Sequence, residues 1–170
     1  MSGEEGDMKA QRMSEQPCFA LYSAVNAVTR AYRPLLGPLG LTYTQYVVMM
    51  TLWEEDHLDL RTLADRTRLA SATLTPVVRR LEAKGLLHRS RAADDERRLV
   101  LTVSRTGRRL QREAHDVPET MLRLVGLSAD DEERLRDLCE QIRSTLSPDH
   151  GPPHGVTVRS SWELAVPAIR

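Results

Sequence analysis

Two cysteines in 170 residues, Cys18 and Cys139, are too few for a disulfide framework, and neither stands in a CxxC or Cys/His spacing of the kind that holds zinc. No apolar run approaches the roughly 20 residues needed to cross a bilayer. The longest, about Tyr46 to Trp53, is interrupted by Thr51. The opening MSGEEGDMKAQR has no apolar segment and carries acids, which argues against a signal or transit peptide and makes a cytoplasmic location without a membrane partner the expectation. The five histidines are scattered, and His150 and His154 flank a Gly-Pro-Pro stretch that reads as linker. No metal and no cofactor is therefore expected. Net charge is also missing, since 24 Lys and Arg balance 24 Asp and Glu.

That balance hides a strong asymmetry. Residues 71–112 hold eleven Lys/Arg against four Asp/Glu, whereas residues 113–150 hold four against ten. A basic block inside a neutral chain is the footprint of a face that meets phosphate while the remainder stays soluble. With 41% hydrophobic and 28% charged residues, the chain has the composition of a single globular domain.

Along the chain, residues 1–13 read as a disordered N-terminus. Ser14 is the expected cap of a first helix with Pro17 in its opening turn, Cys18 beside it, and a stripe Leu21, Val25, Val28, Tyr32 and Leu35 at spacings of three and four. Pro34, Gly37, Pro38 and Gly40 disturb and then end that segment. Thr42 or Thr44 caps a second helix through Trp53, and Asp59 caps a short third one, Leu60 to Thr67. After a tight turn, Ser71 is the expected cap of a fourth helix over Ala72 to Lys84. Its inner face is Leu74, Val77, Val78 and Leu81, and Thr73, Thr75, Arg79, Arg80 and Lys84 point outward until Gly85 stops it. Two short helices joined by a tight turn, the second exposing hydroxyls and arginines, fit a helix-turn-helix whose second helix enters a major groove.

Two strands follow, one through Arg89 and Arg91 and the other over residues 97–103, joined by a polar turn in which Asp94 and Asp95 can tether Arg97 or Arg98. A hairpin on a helix-turn-helix is a wing, and arginines at its tip suit the minor groove. The DNA-facing set is thus Ser71, Thr73, Thr75, Arg79, Arg80, Lys84, Arg89, Arg91, Arg97 and Arg98. Ser104 caps a long fifth helix through Val125 with a kink at Pro118, and Ser128 with Asp131 opens a sixth carrying Leu135, Leu138, Ile142 and Leu146. The fold class expected is mainly α with a small β-wing, a winged helix-turn-helix over residues 14–146 with terminal helices that pair in a homodimer, followed by a flexible tail, 147–170.

The order of helices, the winged centre and the run Asp94-Asp95-Glu96-Arg97-Arg98 followed by Thr102-Val103-Ser104-Arg105-Thr106-Gly107-Arg108 resemble the MarR family of dimeric bacterial transcription regulators. Gln16-Pro17-Cys18-Phe19-Ala20-Leu21-Tyr22, Tyr32-Arg33-Pro34-Leu35-Leu36, Leu41-Thr42-Tyr43-Thr44-Gln45-Tyr46 and Thr73-Leu74-Thr75-Pro76 are similar to its organic hydroperoxide sensor branch, OhrR. The recognition segment departs from that branch, with Ala70 and Ala72 where Asp and Gly are usual.

The resemblance implies a repressor of a pseudo-palindromic operator, with Cys18 as the peroxide-reactive thiol and Tyr32 and Tyr43 as hydrogen-bond donors to its thiolate; Tyr22 lies one turn from Cys18. On one unbroken helix Cys18 and Tyr32 are roughly 21 Å apart at 1.5 Å per residue, so a Tyr32 that meets a Cys18 must come from another subunit. Some members of the branch carry a second cysteine that resolves the sulfenic acid. Cys139 is not at the matching position, and its place beside Leu138 reads as burial, with a resolving role as the alternative. A repressor relieved by a small aromatic ligand, with Cys18 structural, is the competing reading. A thiol peroxidase is disfavoured because no strand-rich scaffold lies outside the hairpin, so the chain is not expected to be an enzyme.

Overall fold

A computed structural model of the chain describes residues 12–91 and 99–146. A 3-10 turn, Met13–Glu15, leads into α1 (Pro17–Leu36), followed by α2 (Tyr43–Glu54), β1 (Leu58–Asp59), α3 (Leu60–Thr67), α4 (Ser71–Ala83), β2 (Leu87–Arg91), β3 (Leu99–Val103), α5 (Arg105–Glu113), α6 (Val117–Val125) and α7 (Ala129–Thr145). The chain divides between Val125 and Gly126 into two compact units.

In the first unit the expected winged helix-turn-helix is present. Thr42 caps α2 through a capping box: its hydroxyl accepts from the Gln45 N–H at 3.3 Å, and the Gln45 side-chain oxygen accepts from the Thr42 N–H at 3.1 Å. Asp59 caps α3, and Ser104 caps α5 by accepting from the Gly107 N–H at 3.0 Å. Gly85, at φ 69°, ends α4 in the left-handed region that glycine adopts without strain. Leu36, Val48, Met49, Leu52, Leu63, Leu74, Val78, Leu81, Leu87 and Leu101 form the core. Each such side chain contributes roughly 1.5–3 kcal/mol by leaving water.

Three expectations about the helices need correction. Gln16, not Ser14, precedes α1, because residues 13–15 turn separately; Pro17 takes the first helical position, where its missing N–H costs nothing. The segment ends where the Pro34–Gly40 stretch was expected to end it, with Pro34 itself inside α1. The helix stops at Gly37, whose N–H still reaches the Arg33 carbonyl at 2.9 Å. Ser71 is the first residue of α4 and Ala70 its cap, so the Thr73 and Leu74 N–H groups reach the Ala70 carbonyl and no side chain caps them. The long fifth helix is in fact two, α5 and α6, separated at residues 114–116; Pro118 falls in the first turn of α6, where proline is tolerated.

The sheet has three antiparallel strands in the order β1-β3-β2, with Leu58 opposite Leu101 and Leu87 opposite Val103. The two-residue β1 adds to the expected hairpin on the β3 side. Leu101 and Val103 turn into the core while Leu99 on the same strand is exposed. The expected wing-tip residues Asp94, Asp95, Arg97 and Arg98 lie outside the described residues, as do residues 1–11 and the tail 147–170. Among the described residues no helix is long and apolar enough to cross a membrane.

The second unit is led by α7. The Ser128 hydroxyl accepts from the Asp131 N–H at 3.2 Å and donates to the Asp131 carboxylate at 2.7 Å, the expected start with its reciprocal arm changed. Leu135, Leu138, Ile142 and Leu146 make the anticipated stripe, and every one is exposed.

Candidate functional site

Cys18 is the second residue of α1 and is exposed, as are Phe19, Leu21, Tyr22 and Val25 on the following turns. This half of α1 is an uncovered apolar surface, whereas Leu36 at the other end is buried. At that far end the aromatic residues converge. The Tyr32 ring stands 4.8 Å from Tyr43 and 5.9 Å from Tyr46, and Tyr46 meets Trp53 edge-on at 6.2 Å. Burial, and secondarily the neighbouring Tyr43, raises the Tyr32 phenol above its ordinary range; burial with Tyr32 and Tyr43 pushes Tyr46 up to about 12. The Tyr32 and Tyr46 phenols are therefore neutral O–H donors at physiological pH. Beside them lies an open groove of about 350 Å³, lined by Thr29, Tyr32, Arg33, Thr42, Tyr43 and Thr44 among others.

Tyr32 and Tyr43 are thus together, while Cys18 and Tyr22 sit at the other end of the same helix. Tyr46 is a member of the ring cluster that the expected sensor set did not include; its spacing of three from Tyr43 was the available signal. Cys139 is exposed on α7 in the single chain, beside the exposed Leu138 of the stripe expected to pair in a homodimer.

On α4, Ser71, Thr73, Arg79 and Arg80 are exposed, and Thr75 is half-buried with its hydroxyl donating to the Ser71 carbonyl at 3.0 Å. Among the described residues no carboxylate pairs with Arg79 or Arg80. Two other candidates are differently employed. The Arg89 guanidinium donates to the Glu82 carboxylate at 2.7 Å, which ties β2 to α4 and holds the Glu82 carboxyl below its ordinary range through that hydrogen bond. Lys84 donates to the Gly40 carbonyl and, at 3.1 Å, to the Gln45 side-chain oxygen. Arg91 is exposed at the end of β2.

A further cluster escaped sequence reasoning. Asp56 accepts from the Val103 N–H at 2.8 Å and the His57 N–H at 2.9 Å, and its carboxylate pairs with Arg108. It fastens the end of α2 to β3 and α5, at the root of the wing. His57 takes a left-handed φ of 64° there. A lone Asp-His in a polar run carries no sequence signal for this.

The MarR family model matches residues 41–99, from the turn before α2 to the start of β3. The organic hydroperoxide resistance transcriptional regulator of Bacillus subtilis (strain 168) is 34% identical over 84% of this chain and 97% of its own length. The chain belongs to the MarR family. It is a DNA-binding transcriptional regulator of that family, and the relatives it matches are regulators rather than enzymes. The HTH-type regulator TtmR of Methylorubrum extorquens (strain PA1) is 39% identical over 80% of this chain and 70% of its own length. Among solved structures, reduced AbfR bound to DNA matches with a TM-score of 0.68 at 31% identity, over 80% of this chain and 94% of that one. In this MarR frame, α3 and α4 are the helix-turn-helix and β2 and β3 the wing.

Proposed function

We propose that this MarR regulator is a homodimeric repressor that senses organic hydroperoxide through Cys18 and then releases its operator. The observation that carries the reading is the Tyr32–Tyr43 pair, 4.8 Å between rings, set where α1 meets α2. Its counterpart, Cys18, is exposed at the opposite end of α1 on an uncovered apolar surface. Two antiparallel copies of α1 bring the thiol of one chain to the phenols of the other and cover both surfaces at once. The likeness to a hydroperoxide resistance regulator and to a regulator studied in its reduced, DNA-bound form supports the same chemistry.

In the reaction, the Cys18 thiolate attacks the terminal oxygen of the hydroperoxide. An S–O bond forms as the O–O bond breaks, sulfur gives up two electrons, and the leaving alkoxide takes the hydroperoxide's own proton to depart as an alcohol. The sulfenate brings an extra polar oxygen against the phenols, which must shift. Tyr43 is the first residue of α2, so the shift enters the DNA-binding unit and changes the separation of the two recognition helices, which have to match half-sites about 34–36 Å apart.

The test is a DNA-binding titration of wild type and Cys18→Ser with and without cumene hydroperoxide. Wild type should lose DNA on oxidation and Cys18→Ser should keep it. Equal release by both proteins would sink the sensor reading and favour a regulator answering to a small ligand, for which the groove beside Tyr32 offers room.

A further inference from the structure

We infer that Lys84 and Gln45 are positioning residues that make the recognition helix follow the tyrosine-bearing end of α2; this rests on the reading given under Proposed function and deepens it. Lys84 has the composition of a phosphate contact, being a lysine at the end of the helix that enters the groove. Its ammonium instead donates to the Gly40 carbonyl and to the Gln45 side-chain oxygen, 3.1 Å away. Gln45 is 4% exposed, and the oxygen that receives Lys84 also accepts from the Thr42 N–H at 3.1 Å. One buried oxygen therefore serves both the cap of α2 and the end of α4.

Tyr43 lies between the two members of that cap. Its ring packs on Tyr32 at 4.8 Å, and its backbone runs from Thr42 toward Gln45. At the other end of the link, Lys84 is the C-cap of α4, its N–H bonded to the Arg80 carbonyl at 3.1 Å. A displaced Tyr43 moves the Thr42–Gln45 box, the box moves Lys84, and Lys84 moves the end of α4. The inner face of α4, Leu74, Val77, Val78 and Leu81, is buried, so the helix moves with its neighbours rather than bending. Gly40, at φ 64°, closes the turn from α1 and supplies the second acceptor, so the ammonium also senses the α1–α2 junction.

The experiment uses the full-length protein and a DNA duplex selected by reduced wild type from a random-sequence pool. Fluorescence anisotropy is read before and after cumene hydroperoxide, at several salt concentrations. Coupling between sites commonly amounts to about 5- to 150-fold in affinity. Wild type should weaken by at least about tenfold on oxidation, Lys84→Met by less than about threefold, and Gln45→Glu, which keeps the acceptor, as much as wild type. Reduced Lys84→Met should keep the wild-type salt slope. A slope lower by about one with an unchanged oxidation ratio would make Lys84 a phosphate contact and overturn the inference.

A second measurement needs no peroxide. Tyr43→Ala should weaken DNA binding in the wild-type background and have little effect in Lys84→Met. If the two substitutions instead multiply independently, no relay exists. A wild type that ignores peroxide while these two substitutions remain non-additive would discard the hydroperoxide reading and keep the relay.

Discussion

Helices α2 and α7 both carry apolar residues, in a nearly continuous run on α2 and in a stripe at three- and four-residue spacing on α7, and end in opposite surroundings. On α2, Tyr46, Val48, Met49 and Leu52 are at most 2% exposed; on α7, Leu135, Leu138 and Ile142 are 45–49% exposed. A helix apolar nearly all round is buried, whereas the stripe on α7 fixes which face is apolar and leaves open what covers it. Helix α1 contains both situations in one element. Its carboxyl end, with Leu36 and Tyr32, belongs to the core of the winged unit, and its amino end, with Cys18, Phe19 and Val25, is bare. The proposed sensor depends on that division: the phenols are held by the core, and the thiol waits for a second chain.

Breaking the uncovered side should have the largest effect. Leu135→Glu combined with Leu138→Glu is expected to weaken self-association by at least about a hundredfold in sedimentation experiments, because charges would be buried without partners. The far-UV melt of the winged unit should stay within a few degrees of wild type. Unchanged self-association would show that α7 is not part of the dimer interface.

On the covered side, Gly107→Ala places a Cβ 2.2 Å from the Leu86 carbonyl oxygen and 2.8 Å from Val103 Cγ1. Since backbone is the obstacle, α5 must move off Leu86 and the end of β3 and lose the Trp53 indole bond to the Gly107 carbonyl, 3.1 Å. A loss of about 3 kcal/mol in chemical denaturation is expected. Ser104→Ala is milder. It removes the cap of α5 and the 2.6 Å bond to the Gly85 carbonyl, for about 1–2 kcal/mol.

The phenol cluster makes a pH prediction on the same side. Tyr46 titrates near 10 when unfolded and near 12 in the fold, so the neutral ring's contribution is fully present below pH 10 and is lost as pH rises toward about 12. Alkaline unfolding should begin in that window, and Tyr46→Phe should move its onset upward. Smallest of all, Glu119→Gln breaks an exposed i,i+4 pair with Arg123 and should change stability by no more than about 0.5 kcal/mol.

Much of the winged unit was legible in the sequence, because its signals are local. Thr42, Asp59 and Ser104 announce three helices, Gly85 stops a fourth, and the inner face of α4 follows from spacing alone. What was hidden depends on long-range closure. The short β1, the Asp56 clasp on Val103 and Arg108, and the Lys84–Gln45 bond each join residues about 40–50 positions apart, where no periodicity reaches. Lys84 is the instructive case: residue type and helix position suggested phosphate, whereas the neighbouring cap of α2 claimed the ammonium. For Cys139 the apolar stripe around it marks a face, and among the described residues that face is exposed.

The proposed sensor is shared by two chains, and a cross-link tests that most directly. Tyr32→Cys combined with Cys139→Ser, treated with mild oxidant and run without reductant, should give a covalent dimer that disappears when Cys18→Ser is added; Cys139→Ser alone should give none. A product that stays at monomer mass, with Cys18 free, would contradict the shared site.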